Sequence, residues 1–93
     1  MFFILTYFTV RDYIEKRAPF RAQHLALAKE YHDQGTLLMG GALSDPPDKA
    51  VLIFKCNDSS VVDDFVRNDP YFQNGLVESW EVREWKVVIG DNG

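Results

Sequence analysis

The sequence predicts an α+β domain of ferredoxin-like order, βαββαβ, built on an antiparallel four-stranded sheet. Two observations carry this. Runs rich in β-branched, aromatic and aliphatic residues recur at Phe2–Val10, Thr36–Leu43, Ala50–Asn57 and Leu76–Ile89, and two segments of helical character separate the first run from the second and the third from the fourth. At 93 residues there is room for one domain, expected over residues 1–93 with a disordered tail at 90–93.

Phe2–Val10 carries apolar side chains at odd and even positions alike, as a strand buried on both faces does. The first helix is expected from about Arg17 to Gln34, entered through Ala18-Pro19 and stopped at Gly35, a residue suited to a C′ cap. Projected at 100° per residue, Arg17, Arg21, His24, Leu25, Ala28 and Tyr31 share one side, so His24 faces the protein. The second strand offers Leu37, Met39 and Leu43 on one face and Leu38 on the other. Ser44–Lys49, with two prolines, joins it to the third strand, where Val51 and Ile53 oppose Leu52, Phe54 and Cys56. The second helix starts near Asp58-Ser59-Ser60, where a side-chain oxygen can cap free N–H groups, and buries Val62, Phe65 and Val66. In the last strand Trp80 and Val82 share one face while Trp85, Val87 and Ile89 share the other. That reversal predicts a bulge or bend near Arg83-Glu84.

Helices can cover one face of such a sheet, yet three strands are apolar on both. Each large side chain left in water forgoes about 1.5 to 3 kcal/mol of burial, so a homodimer packed through the uncovered face is expected. A formal net charge of −4 argues against a nucleic-acid groove. No stretch is long enough to span a bilayer, and Met1–Leu5 lacks the basic flank and cleavage site of a leader. The single cysteine, Cys56, excludes an internal disulfide, gives no metal-ligand spacing and fits a reducing, cytoplasmic setting; it reads as a buried strand residue.

His24 is the first candidate for chemistry, because imidazole exchanges protons near neutral pH. Arg17 and Arg21 precede it on the same side and could hold an anion. Asp69, before Pro70 and Tyr71, has two readings: a cap for the following turn, or the carboxylate that orients His24. Gly41, of the Gly40-Gly41 pair, and Ser44 complete the candidate binding set. His32 complements the end of the helix dipole, and Tyr7, Tyr31, Tyr71, Trp80 and Trp85 read as core or interface aromatics.

Glu15-Lys16-Arg17, Arg21-Ala22-Gln23-His24-Leu25, Gly35–Leu43 and Asn68-Asp69-Pro70-Tyr71 with Gly75 together make the sequence resemble the YciI-like (YCII-related) family over nearly its whole length. The resemblance implies a dimeric α+β barrel and a His–Asp active-site pair, carried here by His24 and Asp69, with no cofactor or metal. The loop from Ser44 to Asp48 is shorter than in many relatives, which bears on pocket size. Three functions stay open: a cofactor-independent enzyme for isomerisation or elimination, a small-molecule-binding dimer without turnover, and a structural dimer.

Overall fold

The chain, described over residues 1–90 in a computed structural model, forms four antiparallel strands paired in the order β2-β3-β1-β4. These are β1 (Phe2–Thr9), β2 (Leu37–Ala42), β3 (Lys49–Lys55) and β4 (Val77–Trp85). Helix α1 (Tyr13–Lys16), a 3-10 turn (Ala18–Phe20) and α2 (Arg21–Asp33) link β1 to β2, while α3 (Ser60–Asn68) and α4 (Pro70–Gln73) link β3 to β4. The fold is α+β and ferredoxin-like, as the order of apolar runs predicts. Beyond Gly90, the expected tail lies outside the described residues.

Alternation along the central strands decides what the helices cover. Phe3, Leu5, Tyr7 and Thr9 of β1 and Ala50, Leu52 and Phe54 of β3 are buried on the helix side. Val62, Phe65 and Val66 of α3, each 0 % exposed, pack onto them. The Phe65 ring meets Tyr31 at 5.1 Å and Phe54 at 5.3 Å between centroids, both near edge-to-face, the arrangement the ring quadrupoles favour. Asp58 Oδ1 accepts from the Ser60 N–H at 2.8 Å in a turn that leads into α3, whose N-cap residue Ser59 makes no side-chain cap. Gly35, at φ 79°, closes α2 in the left-handed region that glycine enters without a Cβ clash.

The opposite face bears Phe2, Ile4 and Phe8 of β1 and Val51 and Ile53 of β3, all half-buried. Met39 and Trp85 on that side are 68 % and 45 % exposed.

Four local expectations are corrected. The helix begins at Arg21 rather than Arg17, because Pro19 sits in the 3-10 turn and the chain instead forms α1 from Asp12, whose φ of 62° starts it. In β2 the pairing shifts between Leu37 and Met39, so Leu37 points to the core and Met39 away from it, not to one face together. Cys56 lies just past β3 and is half-buried, its Sγ donating to the Asp58 carbonyl at 3.4 Å; burial pushes its thiol pKa up. No bulge occurs at Arg83-Glu84, where β4 pairs with β1 without a break from Ser79 to Trp85. Plain alternation already places Trp80 and Val82 opposite Trp85. The irregularity falls between Phe8 and Thr9, which pair with Ser79 and Val77, and the strand ends at Trp85, before Val87 and Ile89.

Candidate functional site

Asp69 lies at the junction of α3 and α4, extended at φ −77° and ψ 119°, the conformation a residue before proline favours. Pro70 then opens α4 and Asp69 Oδ1 accepts from the Tyr71 N–H at 3.0 Å. The capping turn therefore exists. The same oxygen is 2.7 Å from His24 Nδ1, across 45 residues of sequence, so the carboxylate that caps the turn also touches the imidazole. The second oxygen, Oδ2, accepts from the Tyr7 hydroxyl at 2.8 Å. Asp69 is 0 % exposed, and its three neighbours satisfy it by donation. Nδ1 is accordingly the protonated nitrogen of neutral His24, leaving Nε2 as the basic one.

Tyr71 holds His24 a second way. Its ring stacks on the imidazole at 3.8 Å between centroids with 7° between planes, while Tyr13 meets Tyr71 edge-on at 5.7 Å. One tripeptide, Asp69-Pro70-Tyr71, thus fixes the edge of His24 by its first residue and the face by its last. The His24 side chain is 14 % exposed, enough to reach a solvent-connected space.

That space is a cavity of about 630 Å³ between the α1–α2 side and the β2 edge of the sheet. Tyr13, Arg17, Arg21, His24 and Tyr71 line one side; Leu37 to Ala42 line the other. Its volume suits a small organic molecule. The Arg17 guanidinium lies 5.2 Å from the Tyr13 ring centre. Burial raises the Tyr13 phenol pKa, with Arg17 pulling the other way, and burial raises that of Tyr71 as well. The Tyr7 phenol, also on the cavity wall, is raised first by burial and then by the Asp69 carboxylate beside it.

The structure brings His24, Asp69, Arg17, Arg21 and Gly41 around this cavity, Asp69 behind His24 and the rest on the lining. Ser44 is not on the lining; it is exposed beyond the end of β2. At Gly41 a Cβ would meet nothing within 4 Å, whereas one at Gly40 would stand 3.0 Å from Leu52 Cγ, so the close approach belongs to Gly40. His32 Nδ1 donates to the Leu37 carbonyl at 2.8 Å, tying the end of α2 to the start of β2. Among the described residues no group of three or more His, Cys, Asp or Glu is placed to hold a metal ion.

A profile of the YCII-related domain matches residues 1–86. The chain belongs to that family. No curated protein matches this YCII-related chain. Among solved structures it is similar to 5-chloro-2-hydroxyhydroquinone dehydrochlorinase (TftG) from Burkholderia phenoliruptrix AC1100, in complex with 2,5-dihydroxybenzoquinone, at TM-score 0.78 and 23 % identity over 92 % of this chain and 94 % of that one. An antibiotic biosynthesis monooxygenase aligns at TM-score 0.58 and 18 % identity, covering 95 % and 98 %. Protein Atu4242 from Agrobacterium tumefaciens aligns at 0.54 and 19 %, covering 89 % of each. At these identities the likeness concerns the fold.

Three wall residues of this YCII-related protein escaped the sequence reading: Tyr71, read as a core or interface aromatic rather than as the ring that stacks on His24, and Tyr13 and Tyr7. Tyr13 sits on α1, a helix the expected start at Arg17 left out; the signal for it was Asp12 ahead of Tyr13-Ile14-Glu15-Lys16. Tyr7 reads as one more core aromatic in an apolar strand, and nothing in its spacing points to Asp69.

Proposed function

We propose that this YCII-related protein is a cofactor-independent enzyme that moves a proton on a small, anionic or aromatic molecule, in an isomerisation or an elimination. The observation that carries this is the 2.7 Å contact between His24 Nδ1 and the fully buried Asp69 carboxylate, with the imidazole stacked on Tyr71 at the wall of the cavity. Asp69 fixes the tautomer and stabilises the imidazolium formed when Nε2 takes a proton. In the same turnover Nε2 returns that proton to another atom of the substrate or to a leaving group. Arg17 and Arg21 balance the negative charge of an enolate-like intermediate, Tyr13 and Tyr71 hold the His24 side of the wall rigid, and the backbone at Gly41 contributes to the far wall. TftG, of similar fold, is named for removing hydrogen chloride from a chlorinated hydroquinone and binds 2,5-dihydroxybenzoquinone, which supports a small polar ring as the substrate class. The working form in this reading is a homodimer in the cytoplasm, joined through the uncovered sheet face. Within the described residues no helix is long and apolar enough to cross a membrane.

The test is a thermal-shift screen of small phenolic, quinonoid and carboxylate metabolites on the wild type and on His24→Ala. A ligand at a hundred times its Kd stabilises the folded state by about 2.7 kcal/mol. A ligand chemically altered by the wild type and bound unaltered by His24→Ala supports the enzyme. Binding without alteration by the wild type favours a binding dimer, and no ligand in either protein favours a structural role for the pair.

A further inference from the structure

We propose that Tyr7 is a positioning residue of the site: by donating to Asp69 Oδ2 it shares the carboxylate with His24 and sets how strongly Asp69 holds the imidazole. This rests on the reading of His24 and Asp69 as the proton-handling pair.

Tyr7 comes from the central strand β1 and is 0 % exposed, far in sequence from both partners. A buried phenol needs a hydrogen-bond partner, but a backbone carbonyl would serve as well as a carboxylate. Its actual partner is the one anionic group behind the candidate base. Asp69 receives three donors and is itself 0 % exposed, so each bond is made at the expense of the other two. The Tyr71 N–H is main chain and His24 is the reacting group. Tyr7 is therefore the donor whose strength a side-chain change can tune without touching either. The remaining charged and titratable residues on the wall of the His24 cavity are Tyr13 and Arg17 from the α1 side, Arg21, Lys29 and His32 from α2 and Tyr71 from α4. Arg17 and Arg21 line the same cavity, so among the described residues that line or back it the negative group is Asp69, moderated by Tyr7.

Two consequences follow. With the hydroxyl present, Asp69 divides its acceptor capacity between Tyr7, the Tyr71 N–H and His24 Nδ1. Without the hydroxyl, the carboxylate is a stronger acceptor toward His24, and the Nδ1–H bond tightens.

The experiment is nitrogen and proton NMR of the imidazoles in wild type, in Tyr7→Phe and in protein carrying 3-fluorotyrosine at position 7, whose hydroxyl is the stronger donor. The Nδ1 proton of His24 is expected to move downfield in Tyr7→Phe and upfield with fluorotyrosine, with Nε2 unprotonated throughout. If that proton stays in place in the fluorotyrosine protein, or moves the same way in both variants, the inference is overturned. The fluorinated ring keeps the size and the hydrogen bond of the native one, so it decides the matter even if Tyr7→Phe fails to fold. All spectra are recorded without ligand. A cavity that binds nothing would thus overturn the proposed function and leave this result standing, whereas an unmoved proton in a protein with His24-dependent turnover would overturn the role of Tyr7 alone.

Discussion

Replacing Asp69 by alanine is the sharpest test of how the junction between α3 and α4 holds the site. The substitution removes the acceptor for the Tyr7 hydroxyl and the Tyr71 N–H, both buried, and for His24, whose ring can turn to water. Each orphaned buried donor costs about 1 to 3 kcal/mol, giving roughly 2 to 6 for the two; the lost helix cap is the Tyr71 bond and is not counted twice. Against this, the folded state no longer has to desolvate a carboxylate, which returns part of that cost. The net expectation is about 2 to 4 kcal/mol, a large share of the roughly 5 to 14 that a domain this size possesses. Asp69→Asn is the control. Its carbonyl can still accept from Tyr71 N–H, while its NH₂ faces the Tyr7 oxygen and leaves only the hydroxyl proton unpaired, so it should cost about 1 to 2 kcal/mol. Urea titration at pH 7, reading the midpoint at constant m-value, separates the two. An alanine variant within 0.5 kcal/mol of wild type, or an asparagine variant as costly as alanine, would refute the account of Asp69 as the acceptor of two buried donors.

Two further expectations rest on the same structure. The Tyr7 phenol, raised first by burial, stays protonated in the folded chain while its unfolded counterpart ionises near pH 10. Stability should therefore be full below that pH and fall above it, by about 1.4 kcal/mol per pH unit for this residue; denaturation between pH 9 and 11 should show a shallower fall in Tyr7→Phe. Sedimentation at micromolar concentration should give a dimer mass, and charging the uncovered sheet face by Ile53→Lys should shift it toward monomer while the far-UV spectrum is kept. A stable wild-type monomer would remove the sheet-to-sheet dimer from the proposal.

The order of elements was legible because apolar runs, Gly35 and the Asp58 turn ahead of α3 each speak through local chemistry, and local chemistry held. The pairing of His24 with Asp69 was legible only through the joint pattern around them, since no periodicity connects residues 45 apart. What sequence reading misplaced was parity. The shift between Leu37 and Met39 turns one residue of β2 over, and periodicity cannot tell a bulge in the strand from a change of face in the pattern. At Trp85 the opposite error occurred, where a change of apolar face was read as a break though the backbone continues regularly. Tyr7 was hidden for another reason: a hydroxyl adds one polar atom to an aromatic whose strand position already explains it.

The two sides of the cavity belong to different kinds of structure. On one side His24, Tyr71 and Asp69 are interlocked by stacking, capping and a central strand, so a change at any of them is transmitted to the rest. On the other side the lining from Met39 to Ala42 belongs to β2, an edge strand with a register shift and two glycines, followed by an exposed loop. Substitutions there meet few constraints: Gly41 has open space where a side chain would go, and Gly40 is limited chiefly by Leu52. The β2 margin can therefore be reshaped one residue at a time while the interlocked His24 side stays as it is, so the shape of the cavity is set by one wall and can be altered at the other.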